Sequence, residues 1–166
     1  MLFSPSLYGP LVESFLSGGQ GPDALQRIPD GITLFPDARF PEEALAGLWL
    51  WFDNLDRSHR ISQHLQSREA AFWHGIMHRR EPDPVNAAYW FRRVGKHPVF
   101  PLLHEAAAVE AAYIQEGPEW DPVTWIEDWE AARRQPGTAP HRTALAVQRI
   151  EWELLFHHCA APVPCR

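Results

Sequence analysis

The strongest constraint on this chain is a recurring punctuation of helix openings and closings, with no alternating apolar pattern between them. Asp83-Pro84 opens one segment and Gly95 closes it; Asp121-Pro122 opens another, and Pro136-Gly137 follows its end. An Asp that caps the first free N–H groups, then a Pro that needs no N–H, starts a helix well, while Gly or Pro ends it. Apolar residues recur at helical spacing between these signals, and no stretch alternates as a half-buried strand would. The expected class is all-α, a single-domain bundle of six or seven helices over residues 1–166, with residues 1–40 forming an N-terminal arm and long loop packed on it.

In chain order, residues 6 to 17 predict a short helix carrying Leu7, Leu11, Phe15 and Leu16. From Gly18 to Phe40 the turn signals Gly21-Pro22, Pro29-Asp30-Gly31 and Phe35-Pro36 predict an extended crossing loop pinned by Ile32, Leu34, Phe35 and Phe40. A second helix starts at Pro41 and runs to Asp56, or on to Leu65. If it continues unbroken, His59 and Gln63 fall on its inward stripe with Leu45, Leu48, Phe52 and Leu55. Further helices are expected over Ser67–Arg80, Pro84–Val94, Pro101–Glu116, Pro122–Arg134 and Thr138–His158. The eight tryptophans among 166 residues are expected in the core, because burying rings of that size offsets the entropy of ordering the chain.

Charge is unevenly spread. The stretch from Arg57 to Lys96 holds eight basic residues against three acidic ones, a local +5 within a chain of net charge −6. His59, His64, His74, His78 and His97 lie in or beside it. Such an island suits a small anionic molecule or an acidic surface. An acidic protein repels a long polyanion, so nucleic acid is not expected. The N-terminal M-L-F-S-P-S-L-Y-G-P lacks a basic region before an apolar run, and no stretch of about 18 apolar residues occurs. The expectation is a cytoplasmic protein with no membrane partner, and a homodimer is left open. Cys159 and Cys165 are too few and too local for a disulfide framework.

The chemistry concentrates between Trp73 and Gly95. His74-x-x-x-His78 places two imidazoles one turn apart on a helix, the spacing with which one helix offers two ligands to a metal ion. His59 is the candidate third ligand, with Asp56 or Glu81 as carboxylate support, giving a candidate set of His59, His74, His78 and Glu81 for zinc, manganese, iron or nickel. Three protein ligands and an open position would activate water. The competing reading is a set of core-edge histidines satisfied by backbone or carboxylate. The zinc-protease signature H-E-x-x-H is absent, since Gly75 stands at the glutamate position.

Arg79-Arg80 and Arg92-Arg93 flank the turn of this hairpin. They could clamp a phosphate or carboxylate, with His59, Gln63, Arg80, Asn86, Tyr89 and Arg93 lining the pocket. Alternatively Arg80 and Arg93 pair with Glu69, Glu81 or Asp83 as ordinary ion pairs; either way at least one arginine should be buried and paired. No G-x-S-x-G elbow and no glycine-rich phosphate loop occurs, and neither cysteine has a positioned histidine in its sequence context.

Two resemblances attach to this stretch. Trp73, Ile76, Ala87, Phe91 and Pro98 resemble one tetratricopeptide-type hairpin, although the turn is shorter and no second copy follows at the 34-residue period. That likeness implies a non-enzymatic, partner-binding helical module. The run W-H-G-I-M-H-R-R-E-P-D-P-V-N-A-A-Y-W-F-R-R-V-G-K-H-P, with Ser58-His59 and Gln63 upstream, is similar to a group of uncharacterised bacterial proteins over roughly Trp51 to Leu103. This implies a shared domain and brings no activity with it.

Overall fold

In the computed structural model, which describes residues 1–28, 33–112, 114 and 117–163, the chain is all-α. A 3-10 turn, Pro5–Tyr8, precedes nine α-helices among the described residues: α1 (Pro10–Leu16), α2 (Pro22–Gln26), α3 (Pro41–Trp51), α4 (Leu55–Ser62), α5 (Arg68–Arg80), α6 (Pro84–Val94), α7 (Val99–Glu110), α8 (Pro122–Arg133) and α9 (Ala139–Ala160). No strand occurs among these residues; one isolated bridge joins Ala38 to Pro162.

The predicted Asp caps work as such: Asp83 accepts from Asn86 N at 3.1 Å and Asp121 from Val123 N at 2.9 Å, and Ser67, not foreseen as a cap, accepts from Ala70 N at 3.0 Å. Each satisfies a backbone donor that the first turn leaves free. Gly95 ends α6 at φ 61°, a conformation that costs glycine little.

The nine α-helices among the described residues exceed seven because one expected helix divides in two and α2 is new; a further expected helix loses its first turn to the 3-10 element. Pro10 lacks an N–H and Gly9 sits at φ 89°, so the first expected helix splits into the 3-10 turn and α1. The expected Pro41–Leu65 helix breaks at Asp53, held at φ 58°, and Asn54 starts α4 by accepting from Arg57 N at 3.1 Å. The crossing loop contains the one-and-a-half-turn α2. Helix α7 starts two residues before Pro101, which is tolerated within a first turn, and ends at Glu110. The expected end at Glu116 lies outside the described residues, as do the Pro29-Asp30-Gly31 turn, Ile32 and Cys165.

The 22-residue α9 packs against α3, α7 and α8, and α5 packs on α3, α4 and α6. The join is tight. A Cβ on Gly47 would lie 2.5 Å from the Trp73 ring, and one on Gly75 would lie 3.0 Å from Phe91. Glycine at these positions lets α3 and α6 close onto α5. Trp152 Nε1 from α9 donates to the Gly47 carbonyl at 2.8 Å. Six of the tryptophans are buried, while Trp51 and Trp90 are half-buried. Phe35 is buried, and Leu34 and Phe40 pack against the core, so the loop is pinned as expected.

Arg79 is the buried arginine. Both terminal nitrogens engage the Glu151 carboxylate, tying α5 to α9 in a fully buried pair. Its partner is on the last helix, not among the nearby acids. No helix of the described residues is long and apolar enough to cross a membrane.

Candidate metal centre

Helices α4 and α5 bring His59, His74 and His78 together, with one ring nitrogen of each within 4.8 Å of the others. His74 and His78 share a face of α5 one turn apart, their rings 4.9 Å between centroids. His59 meets them from α4, at 4.7 Å from His74 and 5.6 Å from His78. The break at Asp53 turns α4 away from the axis of α3, and His59 still faces inward. Gln63 lies just past the helix end and is exposed.

Hydrogen bonds decide which nitrogens are available. Ser62 Oγ lies 3.3 Å from both the His59 carbonyl and His74 Nδ1; giving its one proton to the carbonyl leaves it to accept from His74 Nδ1. The His74 proton is then on Nδ1 and the lone pair on Nε2. At His78, Nδ1 lies 3.1 Å from Glu81 Oε2; a carboxylate only accepts, which leaves the second lone pair also on Nε2. Glu81 therefore stands behind His78 as its outer partner and is not itself among the clustered ligand atoms. Asp56, the other candidate carboxylate, is exposed.

Burial keeps His74 and His78 neutral. His74 is 2% exposed, and desolvation, reinforced by His59 and His78, pushes its pKa down to about 3. The His78 pKa is also lowered, mainly by desolvation and further by His59, against the pull of Glu81. The Trp90 ring stacks on His74 at 3.8 Å between centroids, 16° from parallel, and seals one side.

The arginine-lined pocket does not assemble. Arg80 donates to the Leu50 carbonyl at 2.7 Å and to Asp53 at 2.6 Å, where it closes the end of α3. Asn86 is exposed and donates to Asp83. Tyr89 is 51% exposed and Arg93 reaches its hydroxyl at 3.4 Å, with the guanidinium 5.2 Å from the Trp90 centroid. These residues sit on the outer face of α6, so they do not converge with His59 and Gln63 on one enclosed site.

A second cluster went unrecognised in the sequence: Glu69, His97 and His158, likewise within 4.8 Å. His158 Nε2 lies 3.0 Å and His97 Nε2 3.4 Å from Glu69 Oε1. Desolvation alone would raise the Glu69 pKa; the His158 hydrogen bond and the nearby His97 ring outweigh it and hold the carboxyl below its usual range. His97 Nδ1 accepts from Val99 N at 3.2 Å, so its proton is on Nε2, which is buried 3.4 Å from Glu69 without a hydrogen bond to it. The three residues lie 89 positions apart at the extremes, and no local spacing announces them. Ser62 was also missed; its only signal is its place one turn after Ser58 on the His59 helix.

Comparison with protein-family models, curated proteins and solved structures finds no match.

Proposed function

We propose that this protein binds a divalent transition-metal ion through His59, His74 and His78, with Glu81 and Ser62 orienting the ligands and further coordination positions left to water or a small anion. The observation that carries this reading is the gathering of the three rings, each offering one nitrogen within 4.8 Å of the others. Ser62 and Glu81 support it from outside: accepting from Nδ1 of His74 and His78, they leave the Nε2 lone pairs free for an ion. Metal-binding histidines are typically supported in this way by a hydroxyl, carbonyl or carboxylate behind the ring. Three imidazole nitrogens suit zinc, nickel, copper or iron better than magnesium or calcium, which prefer oxygen. A bound ion of this kind acidifies its water and polarises an anionic substrate, so hydrolytic chemistry fits the donor set.

Elemental analysis of protein dialysed without chelator, with titration of zinc and of cobalt as a coloured substitute, tests the reading. Near-stoichiometric metal that is lost in His74→Ala with helix content intact is the expected result. Wild-type protein that takes up no metal from a micromolar solution would overturn it.

A further inference from the structure

A cavity lies on the other side of α4, between that helix, the first turns of α3 and the segment around α2. It measures about 690 Å³, within the roughly 300–1,000 Å³ that small-molecule sites occupy. Leu25, Phe35, Phe40, Leu45 and Trp49 make its body apolar. Arg39, Arg57 and Arg60 line it as well, and among the described residues none of the three forms an ion pair. The Arg57 guanidinium rests 5.4 Å from the Trp49 ring centroid, which leaves its N–H groups unpaired. Two acids share the lining: Glu43 is buried and accepts from Ser67 Oγ at 2.6 Å, and Glu42 is exposed. The three guanidiniums therefore outnumber the carboxylates, and one of those carboxylates is already occupied.

We infer that this cavity binds a small amphiphile with an apolar body and a single anionic head, a medium-chain or aryl carboxylate, whose head pairs with Arg57 and Arg60. The apolar walls would take the body out of water, and a planar guanidinium offers a carboxylate two parallel donors. The site is separate from the histidine cluster and does not depend on metal. Arg57 and Arg60 point from one side of α4, His59 from another.

Titration calorimetry with decanoate, and with decanol as its uncharged counterpart, tests this on the full chain. One decanoate should bind per chain at least about tenfold tighter than decanol, the factor that a charge-assisted contact of about 1.4 kcal/mol supplies. The double variant R57Q/R60Q should bring decanoate down to the decanol level, whereas Arg92→Gln on the outer face of α6 should change nothing. Leu45→Trp, which fills the cavity, should weaken both ligands. Helix content by circular dichroism accompanies each variant. Equal affinity for decanoate and decanol, no saturable binding to wild type, or undiminished decanoate binding in folded R57Q/R60Q would each overturn the assignment. His74→Ala leaves decanoate binding intact if the two sites are independent, and its loss there would overturn the claim of a separate site.

Discussion

The two histidine clusters are built from similar parts and differ in where the protons sit. At His59, His74 and His78 the hydrogen-bond acceptors Ser62 and Glu81 stand outside the cluster, each against a ring Nδ1, an arrangement that leaves the Nε2 lone pairs of His74 and His78 free. At Glu69, His97 and His158 the carboxylate is the centre, with His158 Nε2 at 3.0 Å and His97 Nε2 at 3.4 Å from Oε1. The first arrangement is the one proposed above to take a cation. The second is already neutralised by its own glutamate and clasps α5, α9 and the turn before α7. Proximity of ligand-type residues is therefore insufficient evidence for a metal; the outer partners decide.

The largest effect should come from exchanging lesions between the clusters. His74→Ala should weaken zinc or cobalt binding by more than about a hundredfold, beyond what loss of an outer partner costs, while His97→Ala leaves metal affinity unchanged. Calorimetry on both variants checks this, and equal losses would erase the distinction. Stability should respond in reverse. Glu69→Ala leaves His158 and His97 without the carboxylate between them and should cost about 2–3 kcal/mol in urea unfolding, with metal uptake retained.

Acid separates the clusters next. The pKa of His74 is lowered to about 3 in the fold, from an ordinary value near 6.5. Protons therefore favour the unfolded chain: the contribution is complete above about pH 6.5 and declines as pH falls toward 3. Between pH 6.5 and 5 the metal-free protein should lose about 2 kcal/mol, at 1.36 kcal/mol per pH unit for one such group. His78 and His157, also lowered, act in the same direction. Glu69 is a depressed carboxyl, so its contribution persists through that window and fades only below the ordinary carboxylate range, near pH 4. Urea midpoints at pH 7, 5 and 4 check both limbs. His74→Phe should flatten the first and Glu69→Gln the second.

How much of this was legible in the sequence follows the range of each interaction. Helix class, the caps at Asp83 and Asp121 and the convergence of His74 with His78 are local, and local spacing predicts them. The third histidine was found because α4 happens to present His59 inward after the break, not because one helix runs from Pro41 to Leu65. That break rests on Asp53 in a left-handed conformation, with Arg80 of α5 holding its carboxylate, a contact across 27 residues that no spacing encodes. The same reach explains the misplaced arginine pocket. Arg80 is used to close α3, and Tyr89 and Arg93 face outward because Ala87, Phe91 and Val94 take the inner side of α6. Glu69, His97 and His158 come from three distant positions and meet only once α9 docks.

The smallest effect probes the outer partners themselves. Glu81→Gln keeps an acceptor oxygen behind His78 but removes the charge that makes the imidazole a stronger donor to metal, and Ser62→Ala removes the acceptor behind His74. Each should weaken metal binding by about tenfold, the lower end for loss of such a partner. Ser62→Ala should also broaden the pH dependence of binding, because the His74 proton is no longer confined to Nδ1. Ser58, equally buried on the same helix and without a hydrogen-bond partner for its hydroxyl, provides the control. Ser58→Ala should leave affinity untouched. If it weakens binding as much as Ser62→Ala does, the serine acts through packing of α4, and the proton-placement distinction between the clusters loses its basis.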